Sequence, residues 1–203
     1  MKKDVEMITD KGIIIIRLSD STPLHRDNFL KLVKQEYYDS ILFHRVIRNF
    51  MIQAGDPNSK HAKPDEMLGE GSTNYTIPAE FRASLFHRKG VIAAARTGDD
   101  VNPKKESSGS QFYIVQGKIF TDAGLDSVEI RRLKGRKIPV AQREVYKTIG
   151  GTPQLDQNYT IFGEVIKGLD VVDSIAAMPT SEPYDRPVKD IRIIKMKLIR
   201  RAK

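Results

Sequence analysis

The sequence predicts a mostly β fold, an antiparallel sheet or barrel that carries two α-helices and a separate helical insertion. Short extended stretches are separated by Gly, Pro, Asn and Asp, a pattern typical of antiparallel strands joined by turns. Two segments repeat apolar residues at helical spacing, which indicates helices that pack on the sheet. Residues 118–153 depart from the strand rhythm and fit two further helices.

The predicted strands begin with a hairpin at residues 4–18. Asp10, Lys11 and Gly12 supply its turn, and the arm that follows is apolar and β-branched, as strands favour. Further strands are predicted at residues 42–47, 50–54, 90–96, 110–116 and 159–165, and the alternating tail at 188–199 reads as the closing strand.

Two helices are predicted to pack on this sheet. The first starts after Ser21 or Thr22, either of which can cap it, with Pro23 at the first helical position. It is expected to end near Glu36. The second is predicted at residues 169–178.

The insertion is predicted to hold two helices around a basic centre, Arg131–Lys137. Thr121 can cap the first helix. The second places Ala141, Val145 and Ile149 at i, i+4 and i+8, a helical spacing, and Gly150 and Gly151 are expected to stop it. A solvated turn is the favoured interpretation of the basic centre. Contact with an acidic partner, a membrane surface or nucleic acid is the alternative.

Length, charge and Cys content limit the classes open to this chain. Its 203 residues suit one domain, 1–203, with the insertion at about 118–153 inside it. The absence of Cys excludes a disulfide scaffold, a thiolate zinc site and a Cys nucleophile, and the four His show no ligand spacing, so no metal site is predicted. The net charge of +8 keeps nucleic acid open as a partner, but no run alternates basic and aromatic residues, so we do not favour it. No apolar run is long enough to span a membrane and no leader is visible. A cytoplasmic protein is therefore expected, or a periplasmic one if a leader was removed.

Two strands carry an unusual set of side chains on one face. Side-chain alternation puts Met51 and Gln53 on the same face of one strand, and Gln111 and Tyr113 on the same face of another. Arg45 lies on a neighbouring strand. A fixed cation beside apolar and amide side chains is unusual for a surface. Taken alone, however, Arg45 fits an ordinary surface cation, and Gln111 and Tyr113 fit cross-strand pairing.

The joint pattern of these segments resembles the cyclophilin family of peptidyl-prolyl cis-trans isomerases, in its bacterial form, over nearly the whole chain outside the insertion. This resemblance implies a closed eight-stranded antiparallel β-barrel capped by two α-helices, with a groove on the outside of the barrel. The matching segments occur in the family's order and are Phe43-His44-Arg45-Val46-Ile47, Phe50-Met51-Ile52-Gln53-Ala54-Gly55-Asp56, Gly90-Val91-Ile92-Ala93-Ala94-Ala95-Arg96, Gly109-Ser110-Gln111-Phe112-Tyr113-Ile114 and Phe162-Gly163-Glu164-Val165-Ile166-Lys167-Gly168-Leu169-Asp170-Val171-Val172.

The resemblance also implies roles for single residues. Arg45 matches the catalytic arginine, and Gln53 lies where the family holds the substrate while the bond rotates. Gly69 matches a loop beside the groove. The positions that match the walls of the proline pocket are Phe50, Met51, Tyr113 and Leu155, and those that match contacts to the substrate backbone are Gln53, Ala95, Arg96 and Gln111.

Four residues depart from the family pattern. Tyr113 stands where many relatives have Phe, so a hydroxyl is expected to enter or rim the pocket. Tyr159 stands where human-type members have His. Arg96 replaces their Asn, which adds a charge near the groove and points to acidic substrate neighbours. Gln154 takes the place of a Trp that helps many members bind cyclosporin, so weak cyclosporin binding is expected.

The function implied is catalysis of rotation about Xaa-Pro peptide bonds, which assists protein folding. The partners expected are proline-containing peptides and unfolded or flexible protein segments, and the chain is expected to act as a monomer. The reaction requires no metal, nucleotide or other cofactor. The alternative is a non-catalytic proline-peptide binding module that uses the same groove. Arg45 discriminates the two, because a pure binder does not need a fixed cation at the amide nitrogen.

Overall fold

A computed structural model describes residues 2–64 and 66–201. The predicted domain, 1–203, therefore includes Met1, Asp65, Ala202 and Lys203, which lie outside the described residues. The helices in the described ranges are α1 Pro23–Lys34, α2 Asp122–Arg131, α3 Val140–Thr148 and α4 Leu169–Ala176. The strands there are β1 Lys3–Thr9, β2 Gly12–Leu18, β3 Arg45–Ile47, β4 Met51–Ala54, β5 Thr76–Ile77, β6 Val91–Ala94, β7 Ser107–Ser108, β8 Phe112–Val115, β9 Ile161–Lys167, β10 Thr180–Ser181, β11 Arg186–Pro187 and β12 Ile193–Arg200.

Among the described residues, eight strands form one curled antiparallel sheet in the order β12-β1-β2-β9-β6-β8-β4-β3. The sheet is not a closed barrel, because β12 and β3 lie at its two edges. This corrects the closed eight-stranded barrel that the resemblance implied. The backbone N–H of Val46 in β3 donates to the carbonyl of Asp185 at 2.8 Å, so the segment around β11 occupies this edge. The segment that precedes β3 also pairs with the start of β12 and the residues before it: the Phe43 N–H donates to the Ile191 carbonyl at 2.9 Å, and the Ser40 N–H donates to the Ile193 carbonyl at 2.8 Å.

Side-chain alternation along the strands builds the core. Ile52 and Ala54 of β4, with Phe112 and Ile114 of β8, belong to the main buried cluster. The helices α1 and α4 pack against this sheet, as predicted for the two helices outside the insertion. Phe29 of α1 packs edge-on against Phe112, with ring centroids 5.5 Å apart.

The first helix begins at Pro23 as predicted, but its cap differs from the prediction. Thr22 occupies the N-cap position and its side chain makes no capping hydrogen bond. Glu80 accepts hydrogen bonds from the backbone N–H groups of Leu24 at 3.3 Å and His25 at 3.0 Å instead. A carboxylate at a helix N-terminus satisfies free donors and complements the helix dipole. The position of the cap was therefore predicted, but the side chain that satisfies the N–H groups was not, because Glu80 is remote in sequence.

The insertion holds α2 and α3. Thr121 caps α2 as predicted, since its hydroxyl accepts the N–H of Gly124 at 3.1 Å. The second predicted helix is α3, whose buried residue is Tyr146, whereas Ala141 and Ile149 are exposed. The ring of Tyr146 packs against the ring of Phe86, a residue outside the insertion, with 5.5 Å between centroids. An aromatic side chain with a buried partner for its hydroxyl outweighs small aliphatic side chains at helical spacing.

The buried carboxylate of Glu129 joins α2 to the turn and to α3. It is 1% exposed and accepts hydrogen bonds from the Lys137 ammonium at 2.7 Å, the Ile138 N–H at 3.0 Å and the Arg143 guanidinium at 2.9 Å. These donors, of which Lys137 has the largest effect, hold the pKa of Glu129 at about 2, below its usual 4.5.

In the described residues, no helix is both long and apolar enough to cross a membrane.

Replacing Glu129 by Gln is expected to destabilise the protein near neutral pH. Because the folded-state pKa lies below the unfolded value, the ionised carboxylate contributes stability above about pH 4.5 and loses it as the pH falls towards 2. The expected deficit near pH 7 is up to about 3 kcal/mol, and it shrinks on acidification. Thermal melts at several pH values measure it. Glu144→Gln on the exposed face of α3 is the control, and a Glu129→Gln deficit that is constant across the acid range would contradict the assignment.

Candidate active site

The outer face of the sheet at β3, β4 and β8 carries the candidate site. Arg45 pairs with Gln53 across β3 and β4, and Gln53 pairs with Tyr113 across β4 and β8. Residues that alternate with the core side chains point away from it. Met51 and Tyr113 accordingly belong to a second apolar cluster, separate from the main core.

A pocket of about 160 Å³ opens on this face. Its size suits a single proline ring rather than a drug-sized ligand. The side chains that line it are Arg45, Phe50, Met51, Gln53, Ala95, Arg96, Tyr113, Leu155 and Tyr159. The structure therefore brings these sequence-predicted site residues together in one cavity.

Arg45 has only long polar contacts among the described residues. One guanidinium nitrogen lies 3.5 Å from Oε1 of Gln53, and Nε lies 3.8 Å from the Asp185 carboxylate. The side chain is 44% exposed. Both distances are at or beyond the usual hydrogen-bond limit, so the guanidinium is oriented while most of its donors remain available.

A chain of amide hydrogen bonds fixes the groove beside Arg45. Gln53 donates from Nε2 to Oε1 of Gln111 at 3.0 Å. Gln111 in turn donates from Nε2 to the carbonyls of Gly69 and Gly71, both at 2.7 Å. Gly69 has φ +107°, a conformation that side chains with a Cβ rarely adopt. The predicted residues Gly69 and Gln111 therefore lie beside the 160 Å³ pocket rather than in its lining.

A larger neighbouring pocket of about 510 Å³ includes Gly69 and Gln111, and it shares Gln53, Ala95 and Arg96 with the first. Carboxylate and hydroxyl groups line its remaining wall, including Glu70, Glu106, Ser72 and Ser108. The two pockets form one continuous groove along the outer face.

The charge of Arg96 is paired inside the protein. Its guanidinium forms a 2.7 Å ion pair with Asp99 and donates to the carbonyl of Asn158 at 2.9 Å. It also lies 4.6 Å from the centre of the Tyr159 ring, within cation–π range. The hydrogen bond from Arg96 lowers the pKa of Asp99. Asp99 also lies 3.6 Å from the Lys105 ammonium, so the charge of Arg96 is paired, but one carboxylate serves two cations.

The hydroxyl of Tyr113 does not project free into the pocket. It lies 2.9 Å from Nε2 of His87, and His87 does not line the pocket. Burial raises the pKa of Tyr113 well above its usual value, so the phenol stays protonated. The ring presents apolar carbon to the cavity, as a Phe would.

Sequence reasoning missed the charged and polar partners behind the site. These partners are Asp185 beside Arg45, Asp99 beside Arg96 and His87 behind Tyr113. No spacing signal could have found Asp185 or His87, because they reach the site only through the fold. Asp99 at i+3 from Arg96 was a local signal that a charge-pair search would have found.

The family model described as cyclophilin type peptidyl-prolyl cis-trans isomerase/CLD matches residues 4–198. The chain therefore belongs to the cyclophilin-type peptidyl-prolyl cis-trans isomerase family, as the sequence motifs predicted.

Relatives and solved structures agree with this membership. A Staphylococcus saprophyticus protein provisionally named peptidyl-prolyl cis-trans isomerase is 33% identical, over 95% of this chain and 90% of its own length. A Staphylococcus haemolyticus protein of the same provisional name is 35% identical, over 93% and 87%. The crystal structure of a Cryptosporidium parvum cyclophilin type peptidyl-prolyl cis-trans isomerase matches with a TM-score of 0.71 at 24% identity, covering 98% of this chain and 99% of that one. A second structure of that protein, in the presence of the dipeptide Ala-Pro, matches with a TM-score of 0.68 at 23% identity and similar coverage. These two structures support the fold.

Replacing Gln111 by Leu is expected to release the loop around Gly69 and Gly71. The variant keeps a side chain of similar size but removes the donor to both carbonyls. Because two hydrogen bonds of about 1 kcal/mol each are lost, amide hydrogen exchange at residues 69–73 should rise about thirtyfold. Gln142→Leu, on the insertion, is the matched control and should leave this loop unchanged. Unchanged exchange in Gln111→Leu would contradict the anchoring role.

Proposed function

We propose that this chain accelerates cis-trans isomerisation of Xaa-Pro bonds in unfolded or flexible protein segments. The observation that carries the proposal is the guanidinium of Arg45, which lines the pocket of about 160 Å³ and has only long polar contacts among the described residues. Family membership supports the same activity.

The physical problem is rotation about a bond with partial double-bond character. The barrier is about 18–20 kcal/mol, and uncatalysed exchange at Xaa-Pro takes about tens to hundreds of seconds. No covalent bond forms or breaks. A catalyst must bind the twisted amide more tightly than either planar isomer.

Arg45 is proposed to supply that preference. Twisting the amide interrupts its resonance and localises a lone pair on the prolyl nitrogen, which then accepts a hydrogen bond. A planar amide nitrogen accepts one poorly, so a donor aimed at this atom stabilises mainly the transition state. Arg suits the role because its guanidinium stays charged and presents a rigid fork of donors.

The pocket walls are proposed to hold the proline ring while the rest of the peptide turns. Phe50, Met51, Tyr113 and Leu155 supply apolar surface that excludes water and strengthens the hydrogen bond from Arg45. Met51 can adapt its shape to both isomers. Gln53 is proposed to grip the carbonyl that rotates, since its position is fixed by Gln111.

The residues around the groove are proposed to bind the substrate backbone. Ala95 and Arg96 line both pockets, Gln111 and Gly69 line the larger one, and Tyr159 lines the smaller one. We further propose a single domain with the insertion at about 118–153, acting as a monomer.

Replacing Arg45 by Ala is expected to lower the isomerisation rate about 10²–10³-fold, the size of effect seen when one preorganised donor is lost. Two-dimensional NMR exchange on a short Xaa-Pro peptide, with wild type and variant side by side, measures it. Arg48→Ala is the matched control, since Arg48 is an exposed cation outside the pocket. Wild-type binding without faster exchange would identify a proline-recognition module instead. Near-normal turnover in Arg45→Ala would remove Arg45 from the mechanism.

Replacing Arg45 by Lys separates charge from geometry. A Lys ammonium keeps the positive charge but concentrates it on a flexible stem without the planar fork. We expect the rate to fall about tenfold or more. The same exchange experiment tests this, with peptide affinity measured in parallel by titration. Full activity in Arg45→Lys would mean that charge alone suffices.

A further inference from the structure

A buried chain of hydrogen bonds runs from the proline pocket into the insertion. The Tyr113 hydroxyl lies 2.9 Å from Nε2 of His87, and Nδ1 of His87 lies 3.0 Å from Oδ1 of Asp156. The Tyr146 hydroxyl of α3 lies 2.6 Å from Oδ2 of the same carboxylate. All four residues are buried, and His87 and Tyr146 have no exposed surface.

The direction of each hydrogen bond follows from the groups present. Asp156 also accepts the backbone N–H of His87 at 2.7 Å, and an ionised carboxylate only accepts. Nδ1 of His87 must therefore carry a proton, which leaves Nε2 of a neutral ring as an acceptor. The Tyr113 hydroxyl then donates to Nε2. Burial raises the pKa of both Tyr113 and Tyr146, so each phenol keeps the proton that it donates.

We propose that His87 is a positioning residue for the proline pocket: it accepts the proton of Tyr113 behind the pocket wall, while Asp156 and Tyr146 hold it in the tautomer that can do so. The inference rests on the proposed isomerase function and deepens it. Tyr113 stands where many relatives have Phe, yet it adds no free hydroxyl to the pocket, because the buried His87 accepts its hydrogen bond.

The ring geometry supports this assignment. The planes of His87 and Tyr113 are 13° apart, with centroids separated by 6.1 Å. The two ring planes are thus nearly parallel, and the Tyr113 hydroxyl lies within hydrogen-bond distance of Nε2. Tyr159 packs edge-on against the Tyr113 ring at 5.9 Å and 82°. The Tyr113 ring is therefore held by a hydrogen bond at its tip and by packing along its side.

The same chain gives the insertion a link to the groove. Asp156 directly follows Leu155, a wall of the proline pocket. Its carboxylate accepts from Tyr146, and its carbonyl accepts from the Arg136 guanidinium at 2.7 Å. Two residues of the insertion thus hold the segment that carries a pocket wall. The insertion contacts the pocket from behind, through the buried Tyr146 and the partly buried hydrogen bond of Arg136.

The first test is the tautomer of His87 in the wild-type protein, read from its side-chain ¹⁵N chemical shifts. The expected result is a protonated Nδ1 and an unprotonated Nε2. A protonated Nε2, in either the other neutral tautomer or the imidazolium, would overturn the proposal, because Nε2 would then donate to Tyr113. This readout needs no variant and no catalysis. If the wild type failed to accelerate exchange, the proposed function would fail while the tautomer still decided the role of His87.

The second test is a pair of variants. His87→Phe leaves the buried Tyr113 hydroxyl without an acceptor, and we expect the dissociation constant of an Xaa-Pro peptide to rise about threefold to tenfold, with a smaller change in the exchange rate of bound peptide. Adding Tyr113→Phe removes both polar partners and should recover most of the lost affinity. His61→Phe, at an exposed His, is the control.

A purely structural role gives a different result. His87→Phe would then lower the melting temperature, but folded protein would bind peptide as the wild type does, and the second substitution would not restore affinity. Tyr146→Phe tests the insertion separately, because it removes one hydroxyl far from the substrate. We expect weaker peptide binding in the same direction and a shift of the His87 ¹⁵N signals, and no change in either would exclude the insertion from the chain.

Discussion

The alternation of side chains on β4 and β8 is the constraint on which the rest of the structure depends. The same two strands supply the core on one face, through residues such as Ile52 and Ile114, and the pocket on the other, through Met51 and Tyr113. Their register is fixed by Gln53 lying opposite Tyr113. A slip of one residue would exchange the two faces, so hydrophobic burial in the core holds the site in register. The pairing register of β4 and β8 therefore determines both the packing of the core and the position of the pocket side chains.

Local sequence pattern predicted the features that depend on neighbouring residues. The strands near Met51 and Tyr113, the start of α1 at Pro23 and the cap at Thr121 follow from alternation and end signals within a few residues. Features set by remote residues were not predictable. Glu80 caps α1 from across the chain, and the Asp185 segment occupies the edge of β3, which leaves the sheet curled and unclosed. Helical spacing predicted the helix α3 but not its buried residue, Tyr146, because spacing does not register the gain from a buried partner for a Tyr hydroxyl.

The candidate site divides in the same way. Motif resemblance predicted which residues gather around the pocket, since those motifs keep strand position and parity together. It did not predict which charges remain free. Arg96 reads as an added cation from the sequence, yet Asp99 pairs with it. Tyr113 reads as an added hydroxyl, yet His87 occupies that hydroxyl. Electrostatic character depends on partners, and those are fixed by tertiary structure.

This pairing of polar groups bears directly on whether the groove binds or catalyses. A donor that is already well bonded in the resting protein gains little when a new acceptor develops. Gln53, Gln111 and Arg96 each donate to a protein partner within 3.0 Å, so they suit holding a substrate in a fixed place. Arg45 has contacts of 3.5 and 3.8 Å only, within the described residues. The Arg45 guanidinium is therefore the group that gains most when the prolyl nitrogen becomes pyramidal. Differential stabilisation of a twisted amide requires this difference between a donor that is free and neighbours that are already bonded.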